Sequence, residues 1–174
     1  VKGRLYLLRH AKSSWHDPDL GDAERPLAPR GERAARRVAG HLREQGVKPD
    51  LVLCSPARRA RETLEAVAPA FGSGTELRVE EDLYGAGAGE LLARLRQVSP
   101  GTRSVMVVGH NPGIHDLALE LVGAGEETAL ADLRHKFPTA ALATLMVAEG
   151  GWAELDRGRA ELDAFVVPRG LAQS

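Results

Sequence analysis

Three short apolar runs, at residues 5–8, 51–54 and 105–108, are each closed by polar or charged residues. None alternates between apolar and polar, so each predicts a strand buried on both faces, as in a parallel sheet. Helical periodicity fills the intervals. Ala34, Val38 and Leu42, with Ala35 and Ala39 beside them, recur at helical spacing, while Arg33, Arg36, Arg37 and Arg43 take the opposite side and Gly46 supplies a stop. Ala57, Ala60, Leu64 and Val67 repeat the pattern before Pro69. Two more helices are predicted over 90–98 and 113–122, the second ending at Gly123. Toward the C-terminus the pattern predicts strands over 141–147 and 152–155, around a turn at Gly150 and Gly151, and a last one over 162–167.

Strands alternating with helices imply a layered α/β sandwich with right-handed crossovers. A chain of 174 residues with 43% hydrophobic content can bury one substantial core, so residues 1–174 are read as a single domain. The glycine-rich GAGAGE from Gly85 resembles a dinucleotide loop only on the surface, because Leu83 and Tyr84 are too short a strand to precede one. A formal net charge of -1 argues against a general nucleic-acid or membrane binder. The only local imbalance is arginine between Arg25 and Arg61. Cys54 is the sole cysteine, so no intrachain disulfide forms, and the apolar run before Arg9 is too brief for a secretion signal. Both features lead us to expect a cytoplasmic protein.

In open α/β sheets, ligands bind in the crevice at the carboxyl ends of the strands. Here the first predicted strand ends in Arg9 and His10. The second ends in Ser55 and Pro56, followed by Arg58, Arg59 and Arg61, and the third in Gly109, His110, Asn111 and Pro112. Ser55 and Asn111 are suitable helix N-caps, with Pro56 and Pro112 suited to the first helical position. Helix N-termini present free N–H groups and partial positive charge, so side chains and helix ends converge on an anion such as phosphate. Neutral imidazole is a competent nucleophile at phosphorus. Arg9 would hold phosphoryl oxygens beside His10 while nearby guanidinium groups disfavour the imidazolium form. His110 would face the transferring group and stabilise its charge, and Ser13 could add a hydroxyl contact to phosphate.

Rival chemistries fit less well. His110 and His115 are five apart, which misses one helical face, and no cysteine or carboxylate cluster completes a metal set, so neither metal nor cofactor is expected. A cysteine phosphatase wants an arginine six positions after the thiolate, where this chain has Ala60; Cys54 reads as a buried strand residue. Ser13 and Ser14 lack the glycine-flanked elbow of a serine hydrolase. Arg33, Arg36 and Arg37 read as a solvated helix face.

LRHAKSSW from Leu8, SPARRARET from Ser55 and VGHNPG from Val108 together resemble the histidine phosphatase, or phosphoglycerate mutase-like, superfamily. RHAKSSW, RPLAPRG from Arg25, GHNP and KFPTAAL from Lys136 resemble its compact SixA-type phosphohistidine phosphatase branch. The resemblance covers nearly the whole chain. It implies a three-layer α/β/α sandwich with a mostly parallel central sheet, phosphoglycerate mutase-like. It also implies a phosphorylated nucleophile at His10 and a phosphate pocket completed by Arg9, Arg59 and His110. Asn111 falls at the family's GHN position, as a substrate contact or in a backbone or cap role. Arg58 and Arg61 are then surface or substrate-side charges. This chain has Ala11 where the wider family often has glycine, and His16 where an asparagine is common. Glu81 and Asp82, in EEDLYG, are candidates for a proton donor, a residue that compact members often lack.

Phosphohistidine carries a labile P–N bond and a good leaving group, whereas an alkoxide needs a general acid. A site with a weak acid therefore suits phosphoramidates, and the absence of long insertions would let a protein substrate approach. The expected activity is metal-independent hydrolysis of phosphohistidine on proteins. The alternatives are a small-molecule phosphomonoesterase of the same superfamily or a phosphate-binding module without turnover. The expected partner is a phosphorylated protein or a small phosphorylated substrate.

Overall fold

A computed structural model describes residues 3–147 and 151–171. Seven strands form one sheet: β1 (Gly3–Arg9), β2 (Leu51–Cys54), β3 (Glu76–Val79), β4 (Ser104–Gly109), β5 (Val122–Gly125), β6 (Leu142–Val147) and β7 (Ala160–Val166). Their order across the sheet is β3-β2-β4-β1-β6-β7-β5. Only β6 runs antiparallel, to β1 on one side and β7 on the other; all other pairings are parallel. Five helices cover the faces: α1 (Pro29–Glu44), α2 (Arg58–Val67), α3 (Ala88–Arg96), α4 (Gly113–Leu121) and α5 (Glu127–His135).

The interiors of the central strands are apolar because both of their faces are covered. Tyr6 and Leu8, Val52 and Cys54, and Met106 and Val108 point to one side, against Ala35, Val38 and Leu42 of α1 and Ala60, Leu64 and Val67 of α2. Leu5 and Leu7, Leu53, and Val105 and Val107 point to the other, against Leu91, Leu92 and Leu95 of α3, Ile114, Leu117 and Leu121 of α4, and Leu133 of α5. The three-layer α/β/α arrangement with a mostly parallel central sheet is thus present. Among the described residues, no helix is long and apolar enough to cross a membrane.

Several expectations shift. Residues 152–155 are not a strand: Trp152–Glu154 form a 3-10 turn. Trp152 and Leu155 are both buried, and that spacing of three suits a 3-10 turn rather than a strand. Trp152 Nε1 also donates to the Thr102 carbonyl at 2.7 Å. Of the turn expected there, Gly150 lies outside the described residues. The helices begin later than Ser55 and Asn111 would set them. α2 starts at Arg58 with Ala57 as N-cap, and α4 starts at Gly113 with Pro112 as N-cap, neither with a side-chain cap. Ser55 and Asn111 are therefore not caps, because both side chains are engaged elsewhere in the crevice.

Candidate active site

Because β2, β4 and β1 are adjacent and parallel, their carboxyl ends fall on one edge, with Cys54 and Leu8 both in register with Val108. The next residues out are His10, Ser55 and His110. The His10 and His110 rings approach to 5.1 Å between centroids. Arg59, on the first turn of α2, turns into the crevice and is only 6% exposed, and its Nη2 lies 3.4 Å from His110 Nδ1. Arg9, His10, Arg59 and His110 are thereby brought together from three strand ends.

His10 is oriented by its own chain. Its Nδ1 lies 2.7 Å from the Ala11 carbonyl, which can only accept, so Nδ1 carries the proton and Nε2 is left with its lone pair. Burial, foremost, pulls the His10 pKa down to about 3; the Ala11 hydrogen bond opposes the shift, and His110, Arg59 and Arg9 add to it. A neutral imidazole with a free Nε2 is the form a nucleophile requires. Ala11, meanwhile, is held from α2: its N–H donates to Thr63 Oγ1 at 2.9 Å, and that hydroxyl donates to the Arg59 carbonyl at 2.7 Å. Thr63 thus links the nucleophile candidate to the helical turn that carries Arg59.

His110 has the complementary arrangement. Arg59 can only donate, so His110 Nδ1 accepts from it, and Nε2–H donates to Ser55 Oγ at 2.7 Å. Ser55 Oγ also accepts from the Ala57 N–H at 3.3 Å, so the hydroxyl expected to cap a helix instead anchors an imidazole. Burial, then Arg59, lowers the His110 pKa to about 4, while Asp22 partly offsets the shift. An anion placed between the rings and arginines would raise that pKa and let His110 donate to it.

One carbonyl joins two strand ends. Arg9 Nη1 donates to Phe137 O at 3.0 Å, and Asn111 Nδ2 donates to the same oxygen at 2.9 Å. Asn111 is therefore a tie between β4 and the segment leading into β6. Burial and then Arg59 lower the Arg9 pKa. The Nε groups of Arg9 and Arg59 and the Oδ1 of Asn111 are buried without a hydrogen-bond partner. Two guanidinium groups confined this way favour an oxyanion, which relieves their repulsion.

The rim holds residues that the sequence patterns do not reveal. Asp22, in a 3-10 turn over Asp22–Glu24, receives Arg59 twice, Nη1 on its carbonyl at 2.6 Å and Nη2 on Oδ2 at 3.0 Å. Arg25 donates to Oδ1 through Nε at 3.3 Å and Nη2 at 3.1 Å, and Tyr84 OH donates to Oδ2 at 2.5 Å. Tyr84 foremost, then Arg59 and Arg25, hold the Asp22 carboxyl well below the usual range, so it is a carboxylate at neutral pH. The same bond pushes the Tyr84 phenol pKa up. Tyr84 also sets its ring edge-on to His110, with centroids 5.7 Å apart. Asp22 is separated from Arg59 by 37 positions and from Tyr84 by 62. Its one local signal is the three-residue spacing to Arg25.

The remaining candidates separate clearly. Ser13 Oγ accepts from Arg25 Nη1 at 2.6 Å, which commits the hydroxyl to the rim. Glu81 and Asp82 form a 3-10 turn with Leu83, yet neither makes a described hydrogen bond to His10, His110 or Arg59; Tyr84, next in the chain, reaches the site instead. Cys54 is buried and its thiol pKa is pushed up to about 12, mainly by desolvation, as suits an unreactive core residue. His115 Nε2 donates to the Leu133 carbonyl at 2.6 Å, away from the cleft. Arg58 pairs with Glu62 at 3.0 Å, and Arg61 Nε donates to Pro56 O at 2.9 Å, both on the surface.

Residues 5–92 match the sequence profile of the histidine phosphatase superfamily (branch 1). The uncharacterised protein Rv1276c of Mycobacterium tuberculosis is 42% identical over 164 residues, covering 93% of this chain and all of that one. Phosphohistidine phosphatase SixA of Escherichia coli K12 is 29% identical over 150 residues, covering 85% of this chain and 88% of its own. A solved structure of the protein histidine phosphatase SixA complexed with tungstate superposes with a TM-score of 0.77 at 26% identity, covering 95% of this chain and 97% of that one.

Proposed function

The chain belongs to the histidine phosphatase superfamily, branch 1, and from that premise we propose that it is a SixA-type phosphohistidine phosphatase working through a phosphorylated His10. The observation that carries this reading is the state of His10: Nδ1–H fixed on the Ala11 carbonyl, Nε2 unprotonated, and two arginines and a second imidazole around it. The SixA relatives support the same substrate class, and one of them binds tungstate, a tetrahedral oxyanion.

In the proposed sequence, His10 Nε2 attacks the phosphorus of the substrate phosphoramidate. A P–N bond forms to His10 as the P–N bond to the substrate breaks. The departing imidazole takes the bonding electron pair; with a proton already on its remote nitrogen it leaves neutral, and the enzyme supplies none. Water then attacks the phosphorylated His10, the second P–N bond breaks, and inorganic phosphate and neutral His10 result. Arg9, Arg59 and His110 stabilise the equatorial oxygens in both steps. No metal or cofactor enters this scheme.

The proton inventory favours a phosphoramidate over an ester. Asp22, the carboxylate that touches the site, is held ionised, and the Tyr84 phenol is made a weaker acid. An alkoxide leaving group would find no ready proton at neutral pH. Comparing turnover of a phosphohistidine peptide with that of aryl and alkyl phosphates tests the reading. Faster phosphohistidine turnover is expected, with loss of at least about 10³-fold in His10→Ala. Ester turnover that exceeds it and collapses in Glu81→Gln or Asp82→Asn would assign a phosphomonoesterase instead. No phosphate release at substrate excess would leave only a binding module.

A further inference from the structure

A basic groove of about 670 Å³ opens beside the crevice, on the same sheet edge. One wall is the first half of α1, where Arg30, Arg33 and Arg37 follow at helical spacing as one stripe. Lys12, two residues after His10, also lines it, its backbone packed on the first turn of α1 where Ala28 N–H donates to its carbonyl. His135 and Lys136, at the end of α5, and Arg169, beyond β7, complete its basic lining. Among the described residues the lining contains one carboxylate, Asp132, against these seven basic residues. None of the seven enters an ion pair among the described residues; of the fifteen arginines elsewhere, seven have carboxylate partners and eight do not, so what sets the groove apart is the gathering of its cations. A chain with net charge -1 has thus collected unpaired cations in one concavity.

The groove and the crevice share two chain segments. Lys12 is joined through Ala11 to His10, and the Lys12 carbonyl accepts from Ala28 N–H at 2.9 Å, just before α1. Phe137, whose carbonyl receives Arg9 and Asn111, stands between the groove residues Lys136 and Pro138. The floor is not purely polar, since half-buried Phe165, Val167 and Pro138 contribute to it.

We infer that this groove docks an acidic stretch of the phosphorylated protein whose phosphohistidine enters the His10 crevice. The inference rests on the phosphohistidine reading and adds the chemistry of the partner. Cations spread over α1, the α5 end and the segment after β7 match a run of carboxylates better than one compact phosphate cluster. The apolar floor accepts side chains between them. Contact through such a surface acts mainly on encounter and on KM, and it weakens as salt screens it.

The test uses the full chain and synthetic peptides with one phosphohistidine flanked by glutamates, by serines or by lysines, with free phosphoramidate as a substrate too small to reach the groove. The expected result at low salt is a KM about tenfold lower for the glutamate peptide than for the serine peptide, lost at 0.5 M salt. In Arg33→Glu/Arg37→Glu/Arg169→Glu that preference should disappear or reverse while phosphoramidate turnover stays unchanged, which also reports an intact fold. Equal KM for all three peptides in the unmodified protein, at any salt, overturns the inference and leaves the phosphohistidine reading standing. Inhibition by a nucleoside polyphosphate that the charge reversal abolishes, without any peptide preference, would assign the groove to a small polyanion and also overturn it. Absence of turnover on every phosphoramidate would remove the underlying reading, and the inference with it.

Discussion

His10 is proposed to act as a buried, neutral nucleophile, and its surroundings make that protonation state a measurable property. Burial and the neighbouring cations put the His10 and His110 pKa values near 3 and 4, against about 6.5 for a free imidazole. Protonation of the nucleophile should therefore not reduce kcat/KM between pH 7 and pH 5. A profile on free phosphoramidate, corrected for its own acid hydrolysis, should lack the fall near pH 6.5 that a solvated histidine would give. Stability has the opposite behaviour. Since both folded-state values lie below the unfolded ones, the unfolded chain binds more protons between about pH 6.5 and pH 3 to 4, so unfolding free energy falls as pH falls through that window. Urea midpoints at pH 7 and pH 5 should show the loss, and His10→Gln should reduce it.

Asp22 gives a second residue-scale prediction. Its carboxylate occupies Arg59 donors that a phosphoryl group would use, so Asp22→Asn should tighten tungstate binding several-fold while making Arg59 less fixed and kcat lower. Weaker tungstate binding in the variant would mean that Asp22 acts chiefly by positioning Arg59. Arg9, His10 and His110 were readable because each lies at the end of an apolar run, whereas position alone left Arg58, Arg59 and Arg61 equivalent and only the family resemblance selected Arg59. Asp22 and Tyr84 were not, because their meeting depends on tertiary contacts between two short 3-10 turns with no apolar period.

At the scale of elements, helix contacts hold the crevice segments in place. α2 supplies Arg59 to the crevice and Thr63 to the Ala11 N–H on the same helical face, four residues apart. Thr63→Val keeps the shape and removes that acceptor, so a buried N–H is left unpaired; a loss of about 1–3 kcal/mol in stability is expected from urea unfolding. Turnover should fall as well, since the His10–Ala11 segment loses its anchor. α4 meets the loop before α3 so closely that a Cβ on Gly113 would lie 2.2 Å from the Ala86 carbonyl. Gly113→Ala must push apart the segments bearing His110 and Tyr84 and should lower both the thermal midpoint and kcat. The elements missed by periodicity are those with the least buried surface: β3 is exposed along its length, β5 is glycine-rich, and of α5 only Leu133 is fully buried. Edge elements of this kind carry little of the hydrophobic pattern on which sequence reading depends.

At the scale of the whole molecule, the sheet order places the catalytic candidates and the basic groove on one edge, so chemistry and partner recognition can be separated by mutation. An oxyanion that binds only the folded cleft should also stabilise the entire chain, by about 2.7 kcal/mol at a hundredfold excess over its Kd. Tungstate should therefore raise the melting temperature of the protein and leave that of Arg59→Ala nearly unchanged. The proposed intermediate is covalent. Rapid quenching of a reaction with phosphorus-labelled phosphohistidine peptide, followed by peptide mapping, should recover an acid-labile, alkali-stable phosphoryl group on His10, absent in His10→Gln. Turnover without any label on the protein, or a label on another residue that persists in His10→Gln, would contradict the account.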